Sequence, residues 1–117
     1  TIDWSKEIQD RGAGEICLTS IRQEGTGKGF DVELFDLLSS SLEIPVIIHG
    51  GAGKLKHFKK FNNKIPDGFV VSSCLHYSYL KKINKKSNFD GNDFFLSNDE
   101  NFLDFEKIKI KMIKEIL

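Results

Sequence analysis

Three short apolar runs, each followed by a loop and then by a segment of helical spacing, set the rhythm of this chain. Residues 15–20 (EICLTS), 46–49 (VIIH) and 69–72 (FVVS) read as buried strands. Ahead of the first, Ile2, Trp4 and Ile8 recur at helical spacing, and Gly12 and Gly14 supply a stop. After it, the loop EGTGKGF runs to Asp31, whose carboxylate is placed to cap a helix from Val32 with an apolar stripe of Leu34, Leu37, Leu38 and Leu42. After GGAGK, residues 55–62 are expected to form another helix. Such alternation predicts a parallel sheet with helical crossovers. Residues 81–93, KKINKKSNFDGND, read as a surface loop or insertion. Residues 101–117 place Phe105, Ile108, Met112, Ile113, Ile116 and Leu117 on one helical face with lysines opposite, the pattern of a terminal helix packed on its own core.

Composition narrows the picture. A chain of 117 residues that is 39% hydrophobic and 29% charged suits one modest domain. Lysine plus arginine equal aspartate plus glutamate at 17 each, so no global field draws nucleic acid or an acidic membrane, and neither is expected as a partner. Cys17 and Cys74 lie in apolar runs and are expected as reduced, buried thiols, which favours an intracellular, cytoplasmic setting. No run approaches a membrane helix, and the first residues lack a signal peptide's apolar core. Since Met112 is the one methionine, Thr1 is expected to be a processed terminus or the edge of a longer chain.

The candidate chemistry centres on VIIHGGAGK. A parallel strand feeding a glycine-rich turn and a helix is a general anion site, because unpaired amides converge there and the helix dipole adds positive charge. Neither Walker loop fits: Arg22 and Gly29 break one candidate, Ile48 and Leu55 the other. The dinucleotide fingerprint fails at Phe30 and Lys56. Position remains. In an eight-stranded barrel, phosphate commonly binds on the loops after the last two strands, which would set His49, Gly50 and Gly51 opposite Ser72 and Ser73. Gly50 and Gly51 are read as letting a ligand approach the backbone, Gly27 and Gly29 as letting a loop turn. His57, in the helix after GGAGK, and His76, in the turn after the third strand, are assigned packing or hydrogen-bonding roles, and His49 either a substrate contact or a structural one. The histidines share no metal-ligand spacing, so no metal and no cofactor is expected.

The stretches DRGAGEICLTSI, EGTGKGFDVEL, IPVIIHGGAGKLKHF and SSCLHY resemble the C-terminal part of the cyclase subunit family of imidazole glycerol phosphate synthase, over residues 3–79. The resemblance implies a partial (β/α)8 TIM barrel in a single domain, with residues 1–80 as three βα units (strands six to eight), 81–100 a polar loop and 101–117 a C-terminal helix. It implies substrate or phosphate contacts for Thr19, Glu24, Gly25, Gly50, Gly51, Ser72 and Ser73, and an ammonia-gate role for Glu15 at the opposite end of its strand. It also implies a glutaminase subunit as partner, and ammonia-dependent cyclisation of a phosphoribulosyl-formimino aminoimidazole ribonucleotide as the chemistry.

The departures from the family are as informative. Arg22 stands where the family has aspartate and His49 where it often has serine, so both are candidate substrate contacts, Arg22 through a charge-assisted bond to phosphate. The family's acid and base are two aspartates at the ends of the first and fifth strands, and no residue here inherits either role. The isolated chain is therefore expected to be inactive. Three strands also leave two edges open, which the remaining barrel strands or self-association would have to cover. A cyclase-like subunit conducting ammonia in sugar amidation, and a non-catalytic phosphate-binding module, are the alternatives.

Overall fold

The computed structural model describes residues 1–61, 63–83 and 105–117. Helix α1 (Ile2–Asp10) precedes strand β1 (Ile16–Thr19), helix α2 (Val32–Ser39), strand β2 (Val46–His49), a 3-10 helix (Leu55–Lys59), strand β3 (Gly68–Val70), helix α3 (Ser73–Ile83) and helix α4 (Ile110–Lys114). The three strands pair in parallel in the order β1-β2-β3, as the alternation of strand and helix predicts. The result is an α/β fragment with one small parallel sheet.

Short polar side chains fix the connections. Asp31 Oδ1 accepts the Leu34 amide at 3.2 Å, capping α2 as expected, while its Oδ2 accepts from Ser20 Oγ at 2.8 Å and ties the cap to the end of β1. Asp67 Oδ2 accepts from the Val46 amide at 2.8 Å, and the Asp67 amide donates to the Val46 carbonyl at 3.1 Å. That pair sets the register in which Ile47 faces Gly68. Gln9 Oε1 takes the Glu43 and Ile44 amides and fastens α1 to the turn before β2.

Alternation along the strands sends Ile16, Leu18, Val46, Ile48 and Phe69 to one face. There they join Phe35 and Leu38 of α2 with Phe30 and Phe58 in the core. Phe30, Phe58, Phe61 and Phe69 form an edge-on and tilted cluster with centroids 5.3–6.0 Å apart. The other face carries Cys17, Thr19 and Val70 exposed and Ile47 and His49 half-buried. It has no layer over it among the described residues.

Several expectations need correction. The helix expected over 55–62 is a 3-10 helix that ends at Lys59, because its turns close through three-residue bonds, His57 amide to Lys54 carbonyl and Lys60 amide to His57 carbonyl; Asn62 lies outside the described residues. Of the described part of the helix expected over 101–117, residues 105–117, only Ile110–Lys114 is helical. Phe105 and Ile108 are buried as expected, but in non-helical backbone whose groups bond elsewhere: the Glu106 amide to the Gly53 carbonyl, and both polar groups of Ile108 to Ser78 Oγ. Leu117 is exposed, and residues 101–104 lie outside the described residues. On α2, Leu37 faces solvent and Phe35 takes the core position. Helix α3 runs through Ile83, so residues 81–83, expected in the polar loop, are helical; 84–100 lie outside the described residues. His76 sits on α3 rather than in a turn, its ring 5.5 Å from that of Tyr77. Both cysteines are free, but only Cys74 is buried; Cys17 is exposed on the open sheet face.

Candidate phosphate site

At the C-terminal edge of the sheet lies a cavity of about 120 Å³, room for several waters or a phosphoryl group. Each strand end contributes to it. Glu24 and Gly25 come from the loop after β1, His49, Gly50, Gly51 and Ala52 from the end of β2, and Val70, Val71, Ser72 and Ser73 from the passage between β3 and α3. Parallel strands bring their C-terminal ends to one side, which is why segments distant in sequence converge here.

The backbone at the site is shaped for close approach. Gly50 and Gly51 have φ of 97° and 94°, a left-handed region costly for other residues. A Cβ on Gly50 would come within 3.0 Å of the Ser20 carbonyl, and one on Gly51 would run into the Gly29 carbonyl. The Gly29 amide donates to the Gly51 carbonyl at 2.7 Å, so the two glycine loops interlock backbone to backbone. Gly27 and Gly53 meet in the same way, since a Cβ on Gly53 would collide with the Gly27 carbonyl. Across the cavity, the Ser72 carbonyl accepts the Leu75 and His76 amides and opens α3. The first amides of a helix have no intrahelical acceptor, and the positive end of the dipole lies there.

Of the residues singled out from sequence, Glu24, Gly25, His49, Gly50, Gly51, Ser72 and Ser73 all border this one cavity. Thr19 does not, but its Oγ1 is 3.2 Å from His49 Nδ1 and orients that ring. Arg22 is exposed in the turn after β1 and does not line the cavity. Glu15 is exposed just before β1, at the opposite edge. Ala52, Val70 and Val71 were not foreseen; they add an apolar wall. The part played by His57 was foreseen only in outline. It is 5% exposed, and its Nδ1 accepts the Gly53 and Lys54 amides at 3.1 and 3.2 Å. Burial, then Lys54, Lys56 and Lys60, lower its pKa below the usual 6.5, with Glu106 opposing. Burial also raises the Cys74 thiol's pKa and keeps it protonated, a poor nucleophile. Among the described residues no group of three or more His, Cys, Asp or Glu is arranged to hold a metal, and no helix is long and apolar enough to cross a membrane.

Residues 1–81 match the family described as histidine biosynthesis protein. The chain belongs to this family. Within it, the chain is similar to the imidazole glycerol phosphate synthase subunit HisF of Pyrobaculum aerophilum, 44% identical over 79 residues that make up 68% of this chain and 31% of that protein. It is likewise similar to the HisF subunits of Sulfurisphaera tokodaii, 44% identical over 80 residues (68% and 32%), and of Sulfolobus acidocaldarius, 40% over 85 residues (73% and 34%). The chain spans about a third of the length of the curated relatives it matches. The family match ends at residue 81, so residues 105–117, of which Phe105 closes over Gly27 and Glu106 bonds to Gly53 and Leu55, lie beyond it.

Proposed function

We propose that this chain carries the C-terminal phosphate grip of a histidine-pathway cyclase subunit, the counterpart of strands six to eight of a (β/α)8 barrel. The observation that carries the reading is the convergence of Gly50 and Gly51 with Ser72 and Ser73 on one cavity at the C-terminal strand edge. Backbone amides and a helix N-terminus there suit a dianionic phosphate end of a ribonucleotide. His49, held by Thr19, is positioned to contact the same substrate. Arg22, exposed beside the loop, supplies a mobile charge for steering rather than a fixed contact.

Residues 1–117 act, in this reading, as one partial-barrel domain in the cytoplasm, with Glu15 at the far edge facing a glutaminase subunit that delivers ammonia. Cyclisation needs a positioned acid and base. Among the described residues Glu24 is the one carboxylate bordering the cavity, and no aspartate does, so in this reading the chain alone binds phosphate without turning substrate over. The open sheet face and the two edges formed by β1 and β3 call for further strands, from the rest of the barrel or a second copy.

Titration with inorganic phosphate, followed by amide NMR of the full chain, tests the reading. Shifts are expected at Gly50, Gly51, Ser72 and Ser73. Unmoved amides there at millimolar phosphate would overturn it.

A further inference from the structure

The loop GGAGK is braced from behind by groups that do not touch the cavity. Gly53 has both backbone groups engaged: its amide donates to His57 Nδ1 at 3.1 Å and its carbonyl accepts from the Glu106 amide at 2.8 Å. The next two amides are held by the same pair of residues, Lys54 N–H on His57 Nδ1 at 3.2 Å and Leu55 N–H on Glu106 Oε2 at 2.8 Å. Two donors on one ring nitrogen require it to be unprotonated. Beside Glu106, the Phe105 ring closes over Gly27, where a Cβ would come within 3.1 Å of it, and meets the Tyr77 ring at a tilt with centroids 4.7 Å apart. The His57 ring lies 3.7 Å from where a Gly29 Cβ would stand.

We infer that His57 and the strap Phe105–Glu106 are positioning residues for anion binding: they lock Gly53, Lys54 and Leu55 and thereby hold the Gly50 and Gly51 amides in their binding geometry. The inference rests on the phosphate reading of the cavity above. A loop with six consecutive residues from His49 to Lys54, three of them glycines, is costly to order, and an unbraced one would give back part of the binding free energy. A proton on Nδ1 turns the shared acceptor into a third donor facing two N–H groups, so acid releases the brace. Among the described residues the charges bearing on the ring are Lys54, Lys56 and Lys60 against the carboxylate of Glu106. The sign follows: with a folded pKa lowered from 6.5, the neutral ring's contribution is present above that value and is lost as pH falls through the folded pKa.

Sulfate, doubly charged throughout the window between about pH 8 and about pH 5 in which histidine titrates, is the probe. Its binding to the full chain is followed through the Gly50 and Gly51 amides. Wild type is expected to lose affinity toward acid. His49 lines the cavity, and a proton on it would strengthen anion binding rather than weaken it, so an acid fall cannot come from that ring. His57→Asn keeps an acceptor oxygen near the Nδ1 position and is expected to bind at the higher pH while losing the acid fall. Glu106→Ala, at an exposed position, is expected to bind about fivefold more weakly at every pH, the weight of about one hydrogen bond. Wild-type affinity in Glu106→Ala, or an acid fall that persists in His57→Asn, overturns the inference and leaves the phosphate reading standing. No amide shift in wild type at any pH sinks the phosphate reading itself, and this inference with it.

Discussion

The two faces of the small sheet do opposite work. On one, Leu18, Val46 and Ile48 meet Phe35, Leu38 and the aromatic cluster and leave almost no surface to water. On the other, Cys17, Thr19 and Val70 are exposed, and their neighbours Ile47 and His49 are only half-buried. Parallel strands are ordinarily covered on both faces. The packed face therefore supplies what stability this chain has, and the open face costs it apolar burial that a closed barrel would recover. The cavity sits at the rim between them, built on loops that the packed face anchors.

Substitutions on the two faces should separate sharply. Phe35→Ala removes a fully buried ring and is expected to cost about 3–5 kcal/mol, unfolding most of the chain in a denaturant titration. Asp31→Ala loses the cap of α2 and the bond to Ser20 together; about 1–2 kcal/mol is expected from the shift in midpoint, with the Glu24 and Gly25 amide signals broadening first. Cys17→Ser, on the open face, is expected to lie within about 0.5 kcal/mol of wild type. A large penalty there would mean that the open face is covered in solution, by a second copy or by further chain.

Much of this was legible in the sequence. Three apolar runs separated by capped or glycine-stopped segments located the strands, and Asp31 was identified as a cap because an aspartate before an apolar stripe has one dominant local use. The cavity was legible because strand ends in a parallel sheet must share a side, so His49–Gly51 and Ser72–Ser73 had to meet. What escaped was decided by long-range bonds. A spacing of three between Phe105 and Ile108 fits a helix, yet Gly53 and Ser78 take the backbone groups a helix would have used. Residues 55–59 have helical composition, but His57 turns back to serve the Gly53 and Lys54 amides, and the segment tightens to a 3-10 helix. Cys17 looked buried because its run is apolar. Which face of a strand is covered depends on neighbours that a run of four residues does not encode.

The interlock of Gly27 with Gly53 and Gly29 with Gly51 makes the two glycine loops a single heritable part. A loop from one relative grafted alone onto this scaffold would bring a backbone contour that the unexchanged partner cannot accommodate. Exchange between relatives should succeed only when both loops travel together, so variation in this rim has to be drawn from matched pairs rather than from either loop on its own.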